Sequence, residues 1–169
     1  QVLADTRAAI DGSVAQVNAH QRLADTWTGR LGRDIQLHAY EGGAHLDGRS
    51  APYQNVFYAA ANDPRMGDLY RDYLRRLDAA GMDLYVDFNF TGRAGASQWG
   101  DFAKLHRMDE PLAGASRYNA VVAAADGSLW DGVAPPPRPV TPATVTLSVP
   151  DAAAAEAGTN PGVIRLTRS

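Results

Sequence analysis

Two short apolar runs, each ending near glycine and each followed by a helical pattern, restrict most strongly what this chain can fold into. The first is Ile35-Gln36-Leu37-His38-Ala39-Tyr40-Glu41-Gly42-Gly43, which reads as a buried strand over 35–41 that two glycines stop. The second, over 83–90, alternates Leu84, Val86, Phe88 and Phe90 against Tyr85, Asp87 and Asn89. Between them lie a polar and aromatic loop over 42–62 and a strongly amphipathic helix pattern. In that pattern Asp63 suits an N-cap and Pro64 a first helical position. Met66, Leu69, Tyr70, Tyr73, Leu74 and Leu77 follow at steps of three and four, and Gly81 ends it. The spacing places Tyr70 and Tyr73 in the core.

A first helix is predicted over 4–30, where Ile10, Val14, Val17 and Ala24 form a stripe with Leu23 and Trp27 beside it. After the second strand comes a glycine-rich loop over 91–100, then helical character over 101–106 and 117–125. The order helix, strand, helix, strand, helix indicates parallel βα units, hence an α/β class. Two strands cannot close a sheet, and the chain opens on Gln1 without an initiator methionine or a signal peptide, so it reads as a piece of something longer.

At Ala134 the composition changes. Ala134-Pro135-Pro136-Pro137-Arg138-Pro139 is a semi-rigid polyproline linker. Beyond it, 144–149 and 163–167 read as strands joined by a turn-rich segment, Glu156-Ala157-Gly158-Thr159-Asn160-Pro161-Gly162. The division is therefore 1–126, a linker over 127–141, and 142–169.

Charge and composition exclude several classes. A net charge of −3 offers no basic field to nucleic acid, and Lys104 is the sole lysine. The absence of cysteine excludes disulfides and thiolate metal sites. No apolar stretch approaches the ~20 residues a membrane helix needs. The four histidines lack zincin spacing, and glycines 92, 95 and 100 lack the lysine and serine or threonine of a phosphate loop.

Two segments resemble known families. Residues 4–126 resemble the last two βα units of a clan-A-type (β/α)8-barrel glycoside hydrolase. The resemblance is carried by His38-Ala39-Tyr40-Glu41-Gly42-Gly43-Ala44-His45-Leu46, Asp63-Pro64-Arg65-Met66, Leu84-Tyr85-Val86-Asp87-Phe88-Asn89 and Gln98-Trp99-Gly100. It implies a TIM-type barrel, here incomplete, in a secreted retaining glycosidase acting on poly- or oligosaccharide, without a cofactor. It also implies Glu41 as the nucleophile at the end of the seventh strand, and Trp99 as the aromatic that the eighth strand brings beneath the sugar. The family's acid/base glutamate follows the fourth strand, usually beside an asparagine, and no Asn-Glu pair occurs here. The 169 residues alone are thus expected to be inactive. Residues 142–169 resemble the opening of a Calx-beta domain, through Val145-Thr146-Leu147-Ser148, Ala155-Glu156-Ala157-Gly158-Thr159 and Gly162-Val163-Ile164-Arg165-Leu166-Thr167. That implies part of a calcium site at Glu156 and an extracellular or cell-surface location.

The residues themselves leave alternatives open. Glu41 is a catalytic carboxylate at a strand tip or a solvated acid opening a turn. Strand alternation sets Tyr40 and His38 on the face opposite Glu41, which favours packing for Tyr40. His45 is either a substrate contact or an exposed loop histidine. Asn89, near the strand's C-terminal tip, is a ligand-contact candidate, whereas Asp87 is expected to pair with an arginine. Trp99 either stacks on a sugar face or packs. His106 is read as structural. The rival to a glycosidase is a non-catalytic carbohydrate-binding or cell-surface adhesion protein with a Calx-beta module.

Overall fold

The structure, a computed structural model, describes residues 1–48, 51–92, 100–130, 145–151 and 163–168. The chain divides into two units, Gln1–Ala134 and Pro135–Ser169.

In the first unit, α1 (Val2–Leu31) buries Ile10 and Ala24 from the predicted stripe, while Leu23 and Trp27 beside it stay exposed. Helix α2 (Gln54–Ala61) is followed by α3 (Arg65–Ala79), whose three- and four-residue spacing turns Met66, Leu69, Tyr70, Leu74 and Leu77 inward. The Asp63 carboxylate accepts the Arg65 N–H at 2.9 Å and pairs with its guanidinium at 2.6 Å, which secures the start of α3. Helix α4 (Ser116–Ala125) packs closely on α3, because Gly67 faces Ser116: a Cβ added at Gly67 would lie 2.8 Å from the Ser116 Cβ. The core brings together Ile10 of α1, Met66, Leu69 and Tyr70 of α3, and Ala120 of α4. Each fully buried side chain of this size contributes about 1.5–3 kcal/mol through removal from water.

Strands β1 (His38–Gly42) and β2 (Leu84–Asp87) pair in parallel. The register sets His38 opposite Leu84, Ala39 opposite Tyr85 and Gly42 opposite Asp87, with an irregularity between Ala39 and Gly42. A parallel pair needs a long crossover, and α2 and α3 supply it. The helices cover the face that holds Ala39, Tyr85 and Asp87: Tyr85 lies edge-on to Tyr73 of α3, with ring centres 5.9 Å apart. The other face, with Tyr40, Leu84, Val86 and Phe88, is exposed. Parallel strands with helices on one face are a unit of several α/β architectures, a barrel among them.

Several elements differ from the sequence expectation. The first strand begins at His38 rather than 35: the Ile35 N–H donates to Thr28 Oγ1 and the Leu37 N–H to Asp83 Oδ2, so side chains take these donors, while the Leu37 carbonyl still accepts from the Asp83 N–H at 2.9 Å. Nor is this strand buried, since its outward face has no cover among the described residues. Within the expected loop over 42–62, residues 54–61 form α2; Phe57, Ala60 and Ala61 at helical spacing were the signal. Residues 101–106 are not helical. They run beside the continuation of β2, with Lys104 N donating to Asn89 O and Leu105 N to Phe90 O.

In the second unit, β3 (Val145–Asp151) and β4 (Val163–Arg168) pair antiparallel, with Thr146 opposite Thr167 and Leu147 opposite Leu166. The two predicted strands are thus present and hydrogen-bonded to each other. Among the described residues, no helix is long and apolar enough to cross a membrane.

Candidate functional site at the tip of β1

Glu41 stands at the C-terminal end of β1, on the irregularity that interrupts its register with β2. Its position is fixed by the two residues after it. Gly42 lies against the Tyr85 ring so closely that no Cβ could be accommodated without displacing it. Gly43 has φ 143°, and an added Cβ would meet the Phe88 carbonyl oxygen at 2.8 Å. These glycines therefore do more than end a strand: they let the turn after Glu41 lie directly on the end of β2. Two hydrogen bonds hold it there. The Phe88 N–H donates to the Gly42 carbonyl at 2.7 Å, and the Ala44 N–H donates to the Tyr70 hydroxyl oxygen at 2.8 Å. Burial, with the nearby Asp87 charge, pushes the Tyr70 hydroxyl above its ordinary pKa, so it stays neutral.

The carboxylate opens onto a shallow concavity of about 270 Å³ lined by Tyr40, Glu41, Gly42, Gly43, Phe88 and Phe102. Tyr40 is 85% exposed, so the packing role expected for it is not found. The Phe88 and Phe102 rings meet edge to face at 5.5 Å, and the His45 ring lies 4.7 Å from Phe102. His45 also approaches Asp47, with Nε2 3.7 Å from the carboxylate. The concavity offers aromatic surfaces and a carboxylate acceptor, a set suited to a ligand with C–H faces and hydroxyl groups. His45 does not line it: behind Phe102, it lines the neighbouring cavity with Ala44, Leu46 and Tyr70. Among the described residues lining this concavity, Glu41 is the one carboxylate.

Beneath the turn lies a buried ionic group that the sequence reading paired differently. Asp87 binds Lys104, not an arginine: Nζ is 2.7 Å from Oδ2, and the lysine side chain is only 2% exposed. The ammonium also donates to the carbonyls of Phe88 at 3.1 Å and Phe102 at 2.9 Å, and lies 5.0 Å from the centre of the Tyr70 ring. Three N–H donors thus find three oxygen acceptors. Burial pushes the Asp87 carboxyl up and the Lys104 ammonium down from their ordinary values, and each partner's charge opposes the other's shift.

A second buried network joins α2, α4 and the 101–106 segment. Arg117 donates to the Asp101 carbonyl at 2.8 Å and to its carboxylate at 3.1 Å, while Asn62 Nδ2 donates to the same carboxylate at 2.7 Å. His106 Nε2 lies 3.1 Å from it as well. This network ties elements together on the helical side, in keeping with the structural role read for His106.

The other expected site residues lie apart. Asn89 does not line the Glu41 concavity: its Nδ2 donates to the Thr91 carbonyl at 3.1 Å, and its buried Oδ1 has no partner among the described residues. Trp99 and Glu156 fall outside the described residues. Among the described residues there is no group of three or more metal-ligating side chains. Neither the protein-family models, nor the curated proteins, nor the solved structures give a match to this chain.

Proposed function

We propose that the first unit carries the nucleophile side of a carbohydrate-processing site: part of a (β/α)8-barrel retaining glycosidase, with Glu41 as the nucleophile. The observation that carries the reading is the placement of Glu41. It is an open carboxylate at the C-terminal tip of one of two adjacent parallel strands, beside exposed aromatic rings. Ligand and catalytic groups of α/β folds gather at that end of the sheet. A retaining mechanism requires a second carboxyl about 5–5.5 Å from the nucleophile, acting as acid and then base. That carboxyl would come from a glutamate outside these 169 residues. His45 and Trp99 would contact the sugar. Asn89 would contact the sugar only through its buried Oδ1, which has no partner among the described residues. The strand pair of the second unit would open a Calx-beta sandwich, with Glu156 contributing to calcium binding and the protein acting at or outside the cell surface.

The test is Glu41→Gln in a chain that contains the whole barrel. Turnover is expected to collapse, and survival within about threefold of the parent overturns the nucleophile assignment.

The second reading is a carbohydrate-binding surface without catalysis, which the exposed Tyr40 and the Phe88 and Phe102 rings beside Glu41 would also suit. The two readings part on one result, glycan binding with or without release of reducing ends.

A further inference from the structure

We propose that Lys104 is the positioning residue of the Glu41 concavity, holding the Phe88 and Phe102 rings at the spacing that receives a sugar. The ring spacing stands on geometry alone; the sugar rests on the carbohydrate reading above.

Lysine is unusually scarce in this chain. Sixteen residues are lysine or arginine, and the sole lysine is among the most deeply buried of them. A buried ammonium is costly unless every donor is used, and here the three acceptors come from three residues. Asp87 supplies a carboxylate; Phe88 and Phe102 supply main-chain carbonyls. An ion pair alone would need only the carboxylate. The two carbonyls belong to the residues whose rings form the aromatic side of the concavity. Nζ therefore ties the end of β2 to the start of the segment that returns beside it, one residue before the main-chain bonds from Lys104 N to Asn89 O and Leu105 N to Phe90 O take over.

The same junction reaches Glu41. The Phe88 N–H donates to Gly42, and the Phe88 carbonyl, besides accepting from Lys104, faces Gly43 at a separation that admits no side chain. A shift of Phe88 would therefore move one aromatic wall and the turn that carries the carboxylate together. Phe102, the other aromatic wall, is bonded to the same ammonium through its own carbonyl and stacks near His45 on its far side.

The experiment uses the 169-residue chain and two variants. Asp87→Asn with Lys104→Met removes both charges, so no unpaired buried ion drives unfolding. Lys104→Cys, alkylated with 2-bromoethylamine while unfolded and then refolded, restores an ammonium at nearly the original reach; the chain has no other cysteine to react. The readouts are nuclear Overhauser contacts between the Phe88 and Phe102 rings, and affinity for cellohexaose, xylohexaose, mannohexaose and laminarihexaose by NMR titration. The double variant is expected to keep the contacts of Ile10 with Met66, lose those between the two phenylalanines, and bind the preferred hexaose about tenfold more weakly, the scale of one aromatic contact. Aminoethylation of Lys104→Cys is expected to restore both. Ring contacts that persist unchanged in the double variant overturn the proposal, as does an alkylated protein that folds without regaining them. Should the unaltered chain bind none of the four hexaoses, the carbohydrate reading falls, and the ring contacts alone decide the role of Lys104.

Discussion

The two faces of β2 carry side chains in the reverse of the usual order. Tyr85 and Asp87 turn toward the helices, where they meet Tyr73, Tyr70 and Lys104. Leu84, Val86 and Phe88 turn outward and remain exposed. In a half-covered sheet the apolar side normally faces the helices. Here polar groups are acceptable beneath the helices because hydrogen bonds and a paired charge satisfy them. The outward face keeps an apolar pattern suited to a layer that the described residues do not supply. The comparison separates two roles for one strand: its inner face is a hydrogen-bonded clamp on the Glu41 turn, and its outer face is a surface for something else.

The clamp is the easiest part to break. Lys104→Met alone leaves the Asp87 charge buried without its partner and is expected to cost about 3–5 kcal/mol in urea unfolding. Pairing it with Asp87→Asn should recover most of that loss, which would show that the cost lies in the orphaned charge. Truncation at the core and on the outward face should differ next most. Leu77, 2% exposed between α3 and its neighbours, is expected to lose about 2–5 kcal/mol on change to Ala. Leu84, 49% exposed on the outward face, should stay within about 0.5 kcal/mol. Equal losses at the two positions would mean that the outward face is covered in solution.

Gly43→Ala tests the junction between the two faces. The new Cβ would need both an unfavourable positive φ and room beside the Phe88 carbonyl, so a loss of at least about 1 kcal/mol is expected.

The smallest effect lies at the start of α3. Arg65, through its guanidinium and N–H, holds the Asp63 carboxyl down to about 2 from an ordinary 3.8. A carboxyl depressed on folding stabilises above its unfolded pKa and loses that contribution as pH falls through the folded one. The stability gap between the native chain and Asp63→Asn should therefore be steady above about pH 4 and close toward pH 2, and salt should narrow it because the pair is exposed. Thermal unfolding at a series of pH values checks this.

How much of this was legible in the sequence follows from which forces act locally. Helix α3 was readable because its spacing, its Asp63–Pro64 start and its burial all agree. The strands were readable through alternation and glycine punctuation, but their inner and outer faces were not. Period-two patterning reports which residues share a face and leaves open what covers it. The Asp87–Lys104 pair was hidden because its partners lie 17 positions apart across a loop, and lysine prefers water wherever acceptors are not prearranged. Helix α2 was lost among tyrosines and asparagines that also suit a loop. Of the site, Glu41 at a glycine-ended strand tip was within reach, but the close approach of Gly42 to Tyr85 and Gly43 to Phe88 was not, because it depends on the neighbouring strand. Phe102 was missed, since the 101–106 segment read as helix and its ring contacts depend on the fold.

The central claim is that the Glu41 concavity receives carbohydrate. It is tested most directly by following the amide and aromatic signals of the 169-residue chain by NMR as cellohexaose, xylohexaose, mannohexaose or laminarihexaose is added. The account predicts saturable shifts with at least one hexaose, centred on Tyr40, Glu41, Phe88 and Phe102 and greatly weakened by Glu41→Gln. Shifts with none of the four, or shifts centred away from these residues and indifferent to Glu41→Gln, would contradict it.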